Sequence, residues 1–292
     1  MIKTIKRTCR KSLSTISPTF ASKVFYKKRF KRILDLKNPI TLNEKLQWLK
    51  LNTYNNNDLV TTCVDKYKVR EYLKEKQCDH IANELIGVWE SANEIDWDSL
   101  PNKFVLKCNH GAGYNIVCTD KTKFDVIEAT RTLNKWMKED YWKLLAEINY
   151  KYVPKRIICE KFIETESGDL PDDYKVYCFN GKPTYIMLCQ GRREGDTKFY
   201  FLDREWNIVP LNRDSKAVGQ DFKIPKPEGI EEMFKYAEIL SEPFPFVRAD
   251  FYLEHGRLIF GELTFTPAGA LDSNRLPETD KLFGDLLELP NY

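Results

Sequence analysis

The chain has no run of about 20 apolar residues anywhere in its 292, so it has no segment suited to crossing a bilayer as a helix. Its opening stretch, MIKTIKRTCRKSLSTISPTF, lacks the unbroken apolar core of a secretory signal, and a cytoplasmic location is expected. It also lacks any CxxC pair. The eight cysteines (Cys9, Cys63, Cys78, Cys108, Cys118, Cys159, Cys178, Cys189) are scattered, several inside strand-like runs, which predicts reduced packing thiols rather than a disulfide framework. Cys108 and His110 could form half a zinc set, but no matching half is present. Neither GxxxxGK[ST] nor GxGxxG occurs, which excludes the two commonest phosphate loops. Internal repeats and low-complexity tracts are absent as well.

What is present is a lopsided charge. Residues 1 to 37 hold 12 Lys/Arg against the single acid Asp35, a local charge of +11 that leaves −8 for the rest of a chain whose total is +3. Tyr26, Phe30, Ile33 and Leu34 fall at helical spacing among these cations. This describes either a basic amphipathic helix lying on an anionic membrane surface or a helix packed on its own domain. Nucleic acid is disfavoured, because the acidic remainder offers no basic path for a backbone.

From Pro39 to about Glu94 the pattern reads as helical. Thr41 and Glu44 stand in capping-box spacing ahead of Leu42, Leu46 and Leu49, and a second helix opens at Asp65 and buries Val69, Tyr72 and Leu73. Residues 103 to 119 read as a strand pair around a glycine loop, and 125 to 146 as a helix capped by Asp125. A strand is expected over 156 to 163, and a hairpin turning at Asn180-Gly181 follows it. Residues 210 to 227 read as loop, and GIEEMFKYAEIL as a helix burying Ile230, Met233, Phe234, Ala237 and Leu240.

Two places carry chemistry. In KFVLKCNHGAGYN, residues 103 to 115, a buried-type strand runs into Lys107 and then into a loop with His110, Gly111 and Gly113. A cation beside glycines that let backbone amides approach a ligand suits a bound anion; an exposed hairpin that happens to carry a lysine is the alternative. In FVRADFYLEHGRLIFGELTFTPAGAL, residues 246 to 271, two strands flank His255-Gly256. A two-residue loop would pair Asp250 with Gly261 and Ala249 with Glu262, mixing charge into both faces. An odd loop centred on Gly256 instead pairs Val247 with Phe265, Ala249 with Leu263, Phe251 with Gly261 and Leu253 with Ile259. The other face then carries Arg248 against Thr264, Asp250 against Glu262 and Tyr252 against Phe260. Two directly opposed carboxylates repel unless a cation lies between them, and hard oxygen ligands on rigid strands suit Mg²⁺; a solvated acidic pair is the alternative. Together the lysine loop and the acid pair suggest a nucleotide site.

The order of FVLKCNHGAGYN, IICEKFI and RADF…GELTF resembles the ATP-grasp superfamily. DKYKVREYL, FVLKCNHG, DYKVYCFNGKP and FGELTFTPAG resemble its TupA-like branch, which is associated with bacterial surface polysaccharides such as teichuronopeptide. The resemblance runs from about Pro39 to the C-terminus and leaves 1 to 37 outside. It implies an α+β ATP-grasp fold, two lobes of antiparallel sheet plus helices clamping ATP, behind a helical N-terminal region. The expected divisions are a basic, membrane-surface helix at 1–37, a helical region at 38–98, a small lobe with the glycine flap at 99–159 and a large lobe with the metal hairpin at 160–292.

By the same resemblance Lys107 holds phosphates of ATP under a flap of His110, Gly111, Ala112 and Gly113, and Glu160, Lys161, Phe162 and Ile163 meet adenine and ribose. Lys175 reaches the nucleotide or acceptor, and Arg248 stabilises transferring charge. Asp250 and Glu262 bind Mg²⁺ with Thr264, which stands where most of the superfamily has Asn, so that a second tightly held metal is in doubt. Thr266 and Gly269 lie near the acceptor, and Lys66 and Arg70, four apart on one helix face, either reach the acidic substrate or form an ordinary surface pair. The implied activity is an ATP-dependent carboxylate-amine ligase working through an acyl phosphate, attaching an amino acid or amine to a carboxylate-bearing surface polysaccharide or its lipid-linked precursor. A kinase acting on a glycan hydroxyl would use the same groups, and a non-catalytic scaffold of the polysaccharide machinery would have lost the acids that are present here.

Overall fold

The computed structural model describes residues 2–165, 170–191, 197–219 and 221–290, with side chains from residue 7 onward. Helices α1 (Ile2–Ile16) and α2 (Pro18–Phe30) form an N-terminal hairpin, and α3 (Leu42–Leu51), α4 (Asp58–Val64) and α5 (Val69–Glu75) follow. A first sheet comprises β1 (Leu85–Trp89), β2 (Phe104–Cys108), β3 (Asn115–Cys118) and β4 (Ile157–Lys161) in the order β1-β4-β2-β3, with α6 (Val126–Met137) on its back. A second comprises β5 (Asp173–Phe179), β6 (Lys182–Gln190), β7 (Lys198–Leu202), β8 (Phe246–Glu254) and β9 (Arg257–Thr264) in the order β7-β6-β5-β8-β9. Short α7 (Arg213–Ala217), α8 (Ile230–Ser241) and α9 (Pro277–Leu286) complete the chain. Both sheets are antiparallel throughout.

Local chemistry accounts for most element ends. Thr41 accepts from the Glu44 amide while the Glu44 carboxylate accepts from the Thr41 amide, so α3 starts in a reciprocal capping box. Asp125 caps α6 through the Glu128 amide at 2.9 Å. Asn180 and Gly181 both take left-handed angles, φ 49° and 74°, giving the two-residue turn that the right-handed twist of a hairpin favours. Helix α8 buries all five residues expected of it.

Several expectations need correction. Helix α6 ends at Met137, and a short 3-10 turn at Tyr141–Lys143 stands in place of its expected last turns. The second helix starts at Val69, because the Asp65 carboxylate accepts from the amides of Tyr67 and Lys68 and holds a turn first. Strand β1 lies inside the stretch read as helical, and α7 inside the stretch read as loop. Of the two readings of the N-terminal stripe, packing on the domain holds for Tyr26 and Leu34, which are buried with Ala21, Phe25, Ala146 and Leu271, and for Phe30 in part, while Ile33 is exposed.

The hairpin of β8 and β9 combines the two registers weighed from sequence. It closes through His255-Gly256, both left-handed, so Glu254 pairs with Arg257 and Phe251 with Phe260. A bulge at Gly261 then adds one residue, and Asp250 faces Glu262 and Arg248 faces Thr264, as the odd-loop alignment requires. Tyr252 consequently pairs with Ile259, not with Phe260. A Cβ at Gly261 would lie 2.9 Å from the Asp250 carbonyl oxygen, so the bulge depends on glycine.

Candidate active site

The two sheets meet across a cleft whose walls follow strand alternation. On β2, Phe104, Leu106 and Cys108 are buried toward α6, which leaves Val105 and Lys107 on the cleft face. On β5, Asp173 and Lys175 share one face with Asp250 and Arg248 of β8, and Lys175 is the cross-strand partner of Asp250. The result is five cations, Lys66, Arg70, Lys107, Lys175 and Arg248, interleaved with four carboxylates, Glu160, Asp173, Asp250 and Glu262.

The contacts form two neighbouring groups, one on Glu160 and one running from Lys66 to Asp173. Glu160 accepts from Lys107 at 2.6 Å on one oxygen and from Arg70 at 2.9 Å on the other. Lys66 donates to the carbonyl of Gly111 at 2.8 Å and lies 3.2 Å from Glu262. Asp250 accepts from Arg248 at 2.7 and 2.6 Å and from Lys175 at 2.8 Å, while Lys175 also donates to Asp173. Arg248 reaches the Thr264 hydroxyl at 3.3 Å, which in turn lies 3.4 Å from Glu262.

The electrostatics follow from these neighbours. Burial raises the pKa of Glu262, but Lys66, Lys175 and Arg248 overcome it and bring the group down to about 2. Burial also opposes ionisation of Glu160, and Lys107 with Arg70 again holds it below the usual carboxylate range. Burial works against the charge on Lys107, but Glu160, Tyr252 and Glu262 together outweigh it and raise the ammonium. At Asp250 burial raises the pKa and the two cations oppose it.

The glycine loop is anchored rather than loose at its base. Asn109 donates to Asp65 at 2.7 Å and to the Pro154 carbonyl at 2.8 Å, and accepts from the Arg156 amide at 2.6 Å. A Cβ at Gly111 would lie 2.5 Å from Cγ of Tyr141, so only glycine lets the loop lie on that ring. His110 is buried behind the loop against Tyr114, with its Nε2 3.2 Å from the Trp136 carbonyl. Burial, then Lys155, pushes its imidazole down to about 4. Its ring thus lies under the flap, within electrostatic reach of Lys155 and Lys66. Ala112 and Gly113 are exposed at the tip.

A cavity of about 90 Å³ beside this cluster is lined by Val105, Lys107, Val117, Phe162, Ile163 and Tyr252, among others. Phe162 and Ile163 therefore lie at a small, mostly apolar cavity that Lys107 also lines. The Lys161 carbonyl accepts from Asn83 at 2.9 Å, and its ammonium lies in the open 3.2 Å from Glu84. Thr266 and Gly269 sit in a turn beyond β9, where Ala268, Gly269 and Ala270 are all left-handed. Thr266 donates to buried Glu147 at 2.8 Å, and Gln47 donates to the carbonyls of Gly269 and Ala270.

The structure thus brings together Lys66, Arg70, Lys107, Glu160, Lys175, Arg248, Asp250, Glu262 and Thr264, and sets Thr266 and Gly269 one turn further on. It places Lys66 and Arg70 on the carboxylates of the cation cluster, and Glu160 on Lys107. Sequence reasoning missed Asp173, although its spacing of two from Lys175 on a strand carried the signal. It also missed Asn83, Asn109 and buried Glu147, which no local pattern marks. Among the described residues no three His, Cys, Asp or Glu side chains gather as a complete metal cage. Two opposed carboxylates with a neighbouring hydroxyl nevertheless fit Mg²⁺, which commonly takes one or two carboxylates and completes its shell with phosphate and water.

Two antiparallel sheets gripping a lysine- and carboxylate-lined cleft, with a glycine flap on one and an R-x-D…E hairpin on the other, define an ATP-grasp arrangement. Residues 44–288 match the family model described as TupA-like ATP-grasp, and the chain belongs to that family. No curated protein matches the chain. Among solved structures it is similar to a D-alanine–D-alanine ligase from Bacillus anthracis complexed with ATP, at 18% identity and a TM-score of 0.46, over 76% of this chain and 61% of that one. An L-amino acid ligase from Bacillus licheniformis aligns at 11% identity and a TM-score of 0.47, over 78% of this chain and 49% of that one. The chain therefore spans less than two thirds of the length of either of these structures.

Proposed function

We propose that the protein is an ATP-dependent carboxylate-amine ligase that activates its acid as an acyl phosphate. The observation that carries this reading is the convergence of Lys107 with its Glu160 clamp, Lys175, Arg248 and the Asp250–Glu262 pair on one cleft, in a chain of the ATP-grasp family. Adenine enters the cavity of Val105, Val117, Phe162 and Tyr252, and the triphosphate lies along Lys66, Lys107 and Lys175. Asp250, Glu262 and Thr264 hold Mg²⁺, which when bound screens phosphate charge. Phosphate entry draws Lys66 and Lys175 off their carboxylates, so the cluster exchanges internal ion pairs for ligand ones. Arg248 then faces the charge that develops on the transferring phosphoryl group.

In this reaction the acceptor's carboxylate oxygen attacks the terminal phosphorus and ADP leaves. An amine then attacks the acyl carbon, the C–N bond forms, and phosphate departs with the C–O electrons. The acceptor is a carboxylate-bearing surface polysaccharide or its lipid-linked precursor, with residues 1–37 holding the enzyme at the inner face of the membrane where such a precursor resides. The branch associated with surface polysaccharides supports this assignment. Hydroxylamine trapping tests the chemistry: incubation with ATP, Mg²⁺ and a uronate should yield a hydroxamate. A phosphorylated sugar hydroxyl with no hydroxamate would establish the kinase reading instead.

A further inference from the structure

We infer that the outward face of the N-terminal helical hairpin is a docking surface for an anionic lipid bilayer. This names the surface behind the peripheral contact proposed above and does not depend on the reaction catalysed. The face differs from the one that periodicity suggests. Tyr26 and Leu34 are committed to the domain, where they fix the hairpin rigidly against Ala146 and Leu271. The opposite side of α2 presents Phe20, Lys23 and Lys27 at i, i+3 and i+7, flanked by Lys28 and all exposed.

On the hairpin itself Ile16, at the end of α1, is 82% exposed and Phe20 55%, and Ile33 at 79% and Ile40 at 56% are exposed in the stretch that follows α2. The sequence from 1 to 37 carries 12 Lys/Arg against one acid, and Lys23, Lys27 and Lys28 stand exposed beside Phe20 on α2. Among the described side chains one of these cations forms an ion pair, Arg7 with Glu139 on the domain, and this pair also ties α1 down. Cations alone would suit any polyanion. Exposed Ile and Phe beside them favour a partner with an apolar layer beneath a negative surface, which is the arrangement of a bilayer with acidic headgroups.

Co-sedimentation of the full chain with phosphatidylcholine vesicles, with and without phosphatidylglycerol, tests the inference. The expected result is binding to the anionic vesicles alone, weakened by salt. Substituting Lys23, Lys27 and Lys28 together by Gln should lower that binding roughly a hundredfold, about fivefold per lysine. Phe20→Ser should lower it about tenfold with the charges intact. All four residues are exposed, so melting and basal ATP turnover without vesicles should not change. Equal binding to neutral vesicles, no binding to either, or an unaffected Phe20→Ser variant displaced fully by a soluble polyanion would overturn the inference, the last by identifying a polyanion site without a bilayer. Loss of vesicle binding with turnover intact would leave the ligase reading untouched.

Discussion

Asp250→Asn perturbs the cleft at its most heavily bonded carboxylate. In the wild type Asp250 accepts three charged hydrogen bonds, at 2.7 and 2.6 Å from Arg248 and 2.8 Å from Lys175. The residue is buried, so removing its charge leaves two cations held by fewer anions in a poorly hydrated place. Breaking a buried ion group by deleting one partner costs about 3–5 kcal/mol, and the retained amide oxygen puts this case near 3. A stability of roughly 5–15 kcal/mol absorbs such a loss, so the variant folds with a melting temperature lowered by about 6–12 °C. Because its unbalanced cations now favour phosphate without help, nucleotide alone should stabilise the variant about as well as nucleotide with Mg²⁺. The wild type should need the metal. ATP turnover should fall at least about a hundredfold. Differential scanning fluorimetry with ATP, with and without Mg²⁺, reads the first two effects and ADP release reads the third. A variant that melts as the wild type does and keeps metal-dependent turnover would refute both the buried cluster and the metal role.

Other outcomes follow from the same geometry. Gly261→Val should cost about 1–3 kcal/mol in urea unfolding, since its Cβ meets the Asp250 carbonyl, and an unchanged midpoint would disprove the bulge. His110 is held near pKa 4 in the fold against about 6.5 unfolded; its contribution is full above pH 6.5 and lost as the pH falls toward 4, at up to about 1.4 kcal/mol per unit. His110→Gln should flatten that slope in pH-dependent melting, and an unchanged slope would place the histidine elsewhere. Below about pH 4.5 Glu262, held at about 2, adds its own acid sensitivity, which Glu262→Gln should remove. Asn109→Ala removes three anchors of the flap and should cost about 2–3 kcal/mol while speeding limited proteolysis between Asn109 and Asn115; an equally resistant loop would show that the anchors are dispensable.

How far the site was legible depended on whether its residues were joined by a strand. Strand alternation put Arg248, Asp250, Glu262 and Thr264 on one face, because pairing in register is dictated by burying Val247, Ala249, Leu263 and Phe265 on the other. It failed at Gly261, where an extra residue lets a two-residue turn and the buried register coexist; alternation assumes no such insertion. The helical periods of α3 and α8 were equally clear, while β1 was hidden because its five residues are all half-buried at the edge of the small sheet and carry no alternation. Glu160 illustrates the remaining limit. Its place on β4 was evident, yet its partners Lys107 and Arg70 lie 53 and 90 residues away, and only the folded sheet brings them to one carboxylate. Tyr26 shows why both readings of its segment stayed open, since an apolar stripe between lysines reads the same whether a membrane or the chain's own Leu271 covers it.

Calorimetric titration of a non-hydrolysable ATP analogue into the full chain, with and without Mg²⁺, bears most directly on the cleft as a metal-nucleotide site. One equivalent should bind, only with the metal present, and Lys107→Gln should weaken it at least about tenfold. Absence of binding, or binding indifferent to both Mg²⁺ and Lys107, would contradict the account.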